Sequence, residues 1–136
     1  MKIMLDDGAK MPTRAHAWDA GLDLYSRNDR TIDGFGCATF DTGVHVEIPE
    51  GCVGFIKSKS GLMVNHNLTA DGTIDAQYTG SISVKLINHG PVPYKVKSGN
   101  KIAQLVILPC LLPELELVDS MKETERGDNG FGSTGK

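Results

Sequence analysis

SISVKLINHG, residues 81–90, alternates Ile82, Val84 and Leu86 with Ser81, Ser83 and Lys85, then stops at Asn88-His89-Gly90. A period of two marks a strand with one face in a core and the other in water, and Asn and Gly beside it form turns. Working outward, Val44, Val46 and Ile48 alternate with His45 and Glu47 before the turn Pro49-Glu50-Gly51. Leu115 and Leu117 alternate in the same way with Glu114 and Glu116. The run Ile102–Leu108 is apolar throughout except for Gln104, which predicts a strand buried on both faces. Glycine (16 residues) and proline (6 residues) break the chain often, and long stretches of helical period are missing. Only residues 60–65 are read as a short helical turn. Many short strands divided by turns predict an all-β sandwich or barrel.

At 136 residues the chain has the length of one domain with its own core. Acidic residues (17) outnumber basic ones (14), giving a formal net charge of −3. No basic stripe interrupts that balance, which argues against nucleic acid as a partner. No segment is long and apolar enough to span a bilayer, so no membrane association is expected. Cys37, Cys52 and Cys110 are odd in number and widely spaced, which fits a reducing cytoplasm better than a disulfide framework or a zinc site. His16, His45, His66 and His89 share no metal-ligand spacing and are read as scattered surface or packing residues.

Several stretches carry chemistry. In DGTIDAQYTG, residues 71–80, Asp71-Gly72 is a strong turn signal, and Asp75 and Tyr78 follow it. Either the stretch is simply a hairpin, or the hairpin holds a carboxylate and an aromatic ring beside one pocket. KSKSGL, residues 57–62, offers a cation, a hydroxyl and an accessible amide at Lys59, Ser60 and Gly61. That combination suits an anion, although lysine and serine in a turn are often just solvated. Gln104 is polar within an apolar strand, and its amide must find partners in the core or on a ligand. In AGLDLYS, residues 20–26, Asp23 between Leu22 and Leu24 is either an exposed strand residue or a functional acceptor.

The chain ends in ERGDNGFGSTGK, residues 125–136, beyond the polar, linker-like stretch 122–129. A Walker loop needs GxxxxGK[ST] between a strand and a helix; here the order is GFGSTGK, and no helix follows to face a phosphate.

Taken in order, AGLDLYS, KSKSGL, DGTIDAQYTG, GNKIAQL and RGDNGFGSTG resemble the five motifs of the trimeric dUTP pyrophosphatases (dUTPases), over about residues 19–135. The resemblance implies a jelly-roll-like β-clip fold, a homotrimer, and active sites shared between subunits. It implies a β-rich domain over residues 1–121 and a flexible glycine-rich arm, 122–136, that closes over a neighbour's site. The reaction implied is dUTP hydrolysis to dUMP and pyrophosphate, with Asp75 activating the water. By the same resemblance, Lys59, Ser60, Gly61, Gln104 and Arg126 face phosphate oxygens, joined by Gly132, Ser133 and Thr134 of the arm. Gly72, Thr73 and Ile74 read the uracil with Thr69 near the base, Tyr78 packs on deoxyribose, and Phe131 stacks on the base. The implied cofactor is Mg²⁺ on the triphosphate, held by Asp23 through water.

Some positions depart from the family pattern. Lys59 stands where arginine is general, and Asn100-Lys101 replaces Asp-Arg, so charge is kept without the bidentate fork. Two other readings are a dUTP-binding regulator that turns over slowly and a dCTP deaminase. The second places Lys85 where a catalytic glutamate is needed, puts Tyr78 where tryptophan is usual, and lacks the GFGSTG arm.

Overall fold

The alternation at residues 81–90 becomes the centre strand of a sheet in the structure, a computed structural model that describes residues 1–130. In chain order the elements are β1 (Lys2–Leu5), β2 (Gly21–Tyr25), β3 (Arg30–Ile32), β4 (Cys37–Asp41), β5 (Val44–Glu47) and β6 (Cys52–Lys57). Helix α1 (Ser60–His66) and strands β7 (Leu68–Thr69), β8 (Asp71–Ile74), β9 (Ser83–Asn88), β10 (Tyr94–Val96) and β11 (Lys101–Pro109) follow. The domain is nearly all β. Every strand pair is antiparallel, in a three-stranded sheet β4-β9-β7, a four-stranded sheet β2-β11-β6-β8, and the ribbons β1-β5 and β3-β10.

The core lies between the two larger sheets, where β9 packs on β8 and β11. Ile82, Val84 and Leu86 are buried and meet Leu24, Ile56, Ile102 and Leu105, while Ser83, Lys85 and Ile87 face outward. Val44, Val46 and Ile48 are buried as their alternation predicts. α1 is seven residues long, buries no side chain fully, and ends on Asn67 in the left-handed region (φ 54°). It carries the Lys59–Gly61 corner and adds to the core only through the half-buried Leu62.

Three expectations change. The Asp71-Gly72 turn is absent, because both residues are extended in β8 and pair with Lys57 and Ile56 of β6. A ladder of four residue pairs outweighs the local turn preference. Leu115 and Leu117 form no strand and are at least 97% exposed, since no neighbouring strand among the described residues completes a ladder there. β11 is not evenly buried on both faces. Its pairing to β2 shifts between Lys101 and Ala103 at a β-bulge, so Ile102 and Ala103 both enter the core in succession. Toward the other end Val106 and Ile107 are half-buried and Leu108 is exposed.

Leu86 is 1% exposed at the centre of the three-stranded sheet. Leu86→Ala is expected to lower unfolding free energy by about 2–5 kcal/mol in urea titrations. The outward-facing neighbour change Lys85→Ala should stay within about 0.5 kcal/mol.

Candidate active site

β8 runs to Ile74 and the chain then reverses, with the Tyr78 amide donating to the Asp75 carbonyl at 3.0 Å. Asp75 therefore opens a turn, its side chain exposed on the wall of a cleft of about 750 Å³ lined by Cys52, Val53, Phe55, Gln77 and Leu112. The Tyr78 hydroxyl donates to the Ser81 carbonyl at 3.0 Å. That bond folds the ring back over Gly80, where a Cβ would stand 2.6 Å from Tyr78 Cζ. Glycine here leaves room for the ring. Among the described residues β8 is also the last strand of its sheet, so one row of N–H and C=O groups along Gly72, Thr73 and Ile74 lies outside the ladder.

A second cluster forms where β2 meets β11. Asp23 is 3% exposed, and the β11 bulge turns Lys101 onto the same face of the sheet as Asp23 and Gln104. Asp23 Oδ1 accepts from Lys59 Nζ at 2.6 Å and from Gln104 Nε2 at 3.3 Å, while Lys101 Nζ lies 2.7 Å from Oδ2. Burial pushes the Asp23 carboxyl upward, but the hydrogen bonds from Lys101, Lys59 and Gln104 together outweigh it and hold the group below its usual range. Lys101 is raised in turn by its hydrogen bond to Asp23. Two ammonium groups on one carboxylate leave a surplus positive charge. Each ammonium has three donors and spends one on Asp23. Ser60 and Gly61, in the first turn of α1, are exposed beside Lys59. Such a corner is suited to an anion.

Asp23 is less suited to direct metal coordination. A carboxylate offers about four lone pairs, and three are taken here, so one remains for a metal-bound water. Among the described residues no group of three or more His, Cys, Asp or Glu side chains could form a metal cage.

The two clusters do not meet within one chain. Register places Asp23, Gln104, Lys57 and Asp71 in a row across the four strands, with Lys57 bonded to Asp71 at 2.5 Å. Three strand spacings make that row roughly 14 Å wide, and Asp75 lies ~13 Å further along β8. The carboxylate at the turn and the cationic corner are thus on the order of 20 Å apart. Thr69 lies in the other sheet, its hydroxyl 2.7 Å from His89 Nε2. Arg126 Nε donates to the Asn129 carbonyl at 3.1 Å within an exposed turn. Phe131, Gly132, Ser133 and Thr134 lie outside the described residues. Another cleft, of about 420 Å³ between Met1, Met11, Pro12 and Arg14, holds none of the candidate residues. Sequence reading treated Lys101 as a departure from a motif and missed it as Asp23's partner, because only the bulge brings it there.

The dUTPase family model matches residues 7–135. Deoxyuridine 5'-triphosphate nucleotidohydrolase of Clostridium tetani is 43% identical over 98% of this chain and 94% of its own length. The enzyme of that name from Rattus norvegicus is 43% identical over 98% of this chain and 66% of its own. Among solved structures, a mutant dUTPase of Staphylococcus bacteriophage 80alpha with dUpNHpp has a TM-score of 0.92 and 32% identity, covering 99% of this chain and 98% of that one. A mutant dUTPase from phage phi11 of S. aureus, described with a structural Mg(II) ion, has a TM-score of 0.82 and 31% identity, covering 88% and 96%. Five ordered motifs, an all-β fold and matches over nearly the whole length lead to one conclusion: the chain belongs to the dUTPase family.

Proposed function

We propose that the protein hydrolyses dUTP to dUMP and pyrophosphate, lowering dUTP and supplying the precursor of dTMP. The observation that carries this reading is the turn Asp75–Tyr78, which presents an exposed carboxylate next to a seated tyrosine ring and an open strand edge. Asp75 takes a proton from water, and the water oxygen attacks the α-phosphorus. The bond from that phosphorus to the bridging oxygen breaks, and pyrophosphate leaves with the electron pair. A general base contributes about 10²–10⁴-fold, so alignment and charge neutralisation must supply the remainder.

Specificity follows from the same turn. The free edge at Gly72, Thr73 and Ile74 can pair with uracil O4 and N3, where a cytosine amino group offers the wrong pattern, and Thr69 stands near the base. The Tyr78 ring against C2′ leaves no volume for a 2′-hydroxyl. A site committed to such bonds discriminates by about 10⁴ or more. Lys59, Ser60, Gly61 and Gln104 hold phosphate oxygens, with Lys101 added by its place on Asp23. Mg²⁺ bound to the triphosphate would neutralise phosphate charge, and the remaining Asp23 lone pair suits one of its waters.

Because Asp75 and the cationic corner are too far apart for one triphosphate, the reading requires sites shared between copies, as in a homotrimer. In it residues 1–121 form the β domain, and 122–136 form an arm that brings Arg126, Phe131, Gly132, Ser133 and Thr134 to a neighbouring site. The odd, dispersed cysteines suit the cytoplasm.

Pyrophosphate release measured across dUTP, dCTP, dTTP and UTP with Mg²⁺ tests the reading, and tight dUTP binding without release would favour a regulator instead. Asp75→Asn should lower kcat by at least about 10²-fold while dUTP still binds. Gly80→Ala should displace the Tyr78 ring, raise KM for dUTP on the order of tenfold and narrow the preference over UTP. The depressed Asp23 carboxyl adds stability that is complete above its ordinary value of about 4 and is lost as pH falls through its lower folded pKa. Urea unfolding followed down to about pH 3 should therefore show a weaker acid dependence in Asp23→Asn than in the parent protein.

A further inference from the structure

His45 lies on β5, outside the site just described, with 18% of its side chain exposed. Its Nδ1 is 2.8 Å from the Thr79 carbonyl and its Nε2 is 3.1 Å from Asp6 Oδ1. Both partners are acceptors. A neutral imidazole has one N–H, so it can satisfy only one of them and turns a lone pair toward the other. The imidazolium alone donates to both. The hydrogen bond to Thr79 leads in raising the His45 pKa above its ordinary value, and the bond to Asp6 and its charge work in the same direction against desolvation.

The groups packed around the ring come from every neighbouring element. Asp6 follows β1, Asp41 ends β4, Arg27 follows β2, and the Lys2–Glu47 pair flanks the ring across the β1-β5 ribbon. Arg27 bridges Asp6 at 3.2 Å and Asp41 at 2.9 Å, and the Ser81 hydroxyl bonds Asp41. With His45 charged, the four ionic groups Asp6, Asp41, Arg27 and His45 balance. Without that proton, one negative charge is left over. The chain so held, 79–81, is the piece that seats Tyr78, whose hydroxyl donates to Ser81.

We propose that His45, donating from both ring nitrogens, is a positioning residue that clamps the Tyr78-bearing turn to the amino-terminal strand, and that release of the clamp as pH rises weakens binding of the deoxyribose end of the substrate. The effect falls on KM, because Tyr78 contacts the sugar and Asp75 precedes the clamped piece. It rests on the dUTP reading for its kinetic form and on ring geometry alone for the clamp itself.

Two measurements test it. The first is an NMR titration, without nucleotide, of the His45 ring and the Thr79 carbonyl carbon. Both should shift together with a midpoint above about 6.5, and Asp6→Asn should lower that midpoint. The second is the pH profile of dUTP turnover. In the parent protein KM should rise about fivefold through that midpoint with kcat nearly constant, the factor expected for one charge-assisted hydrogen bond at a part-exposed site. His45→Ala should hold KM at the raised value at every pH. His45→Asn places an amide donor where Nδ1 was but leaves Asp6 without a donor, so it should share the raised KM and lose the pH dependence. A His45 midpoint at or below about 6.5, or a pH profile unchanged in His45→Ala, overturns the proposal. Failure of the parent protein to release pyrophosphate from dUTP would sink the functional reading instead, and the titration would then decide the clamp by itself.

Discussion

The ladders that β11 makes with β2 on one side and β6 on the other set the positions of Asp23, Gln104 and Lys101 in the cationic corner. They place Asp23, Gln104, Lys57 and Asp71 in one outward row, and Leu22, Leu105, Ile56 and Gly72 in the row behind it. Slipping β11 by one residue would exchange the rows, turning the Gln104 amide into the core and Leu105 out of it. The ion cluster reinforces the same register, because a buried carboxylate without its ammonium partners would be costly. Hydrophobic pattern and charge pairing thus select the same alignment.

That agreement explains which parts were legible in the sequence. β5 and β9 could be read because a period of two reports directly which side chains face the core, and both strands have one wet face. The turn region 71–80 was found, but its reversal was placed too early, since Asp71-Gly72 looks like a turn to any local rule and only the ladder to β6 makes it extended. Leu115 and Leu117 show the opposite failure: alternation without a neighbouring strand is no strand. Asp23 could not be recognised as buried, because the ammonium groups that permit it arrive from Lys59 and Lys101, far along the chain. His45 looked like one scattered histidine of four, and nothing local links it to Asp6 or Thr79.

The geometry also divides the labour of the proposed reaction. The turn at Asp75–Tyr78 carries base, sugar and water chemistry, while the corner around Asp23 carries charge. Each half is rigid by itself: Tyr78 is seated on Gly80 and Ser81, and the lysines are seated on a buried carboxylate. In the shared-site proposal, preorganisation of this kind would leave little side-chain ordering to do on association.

The bulge at Lys101–Ala103 reaches beyond this corner. It adds one residue to β11 that its partner strand does not match, so the parity rule for inward and outward positions reverses on crossing it. Anyone grafting the GNKIAQL segment onto another β scaffold would have to transplant the supernumerary residue and its local twist as well. Copied into a regular ladder, the same letters would send the lysine into the hydrocarbon interior and take from the aspartate one of its two counter-ions.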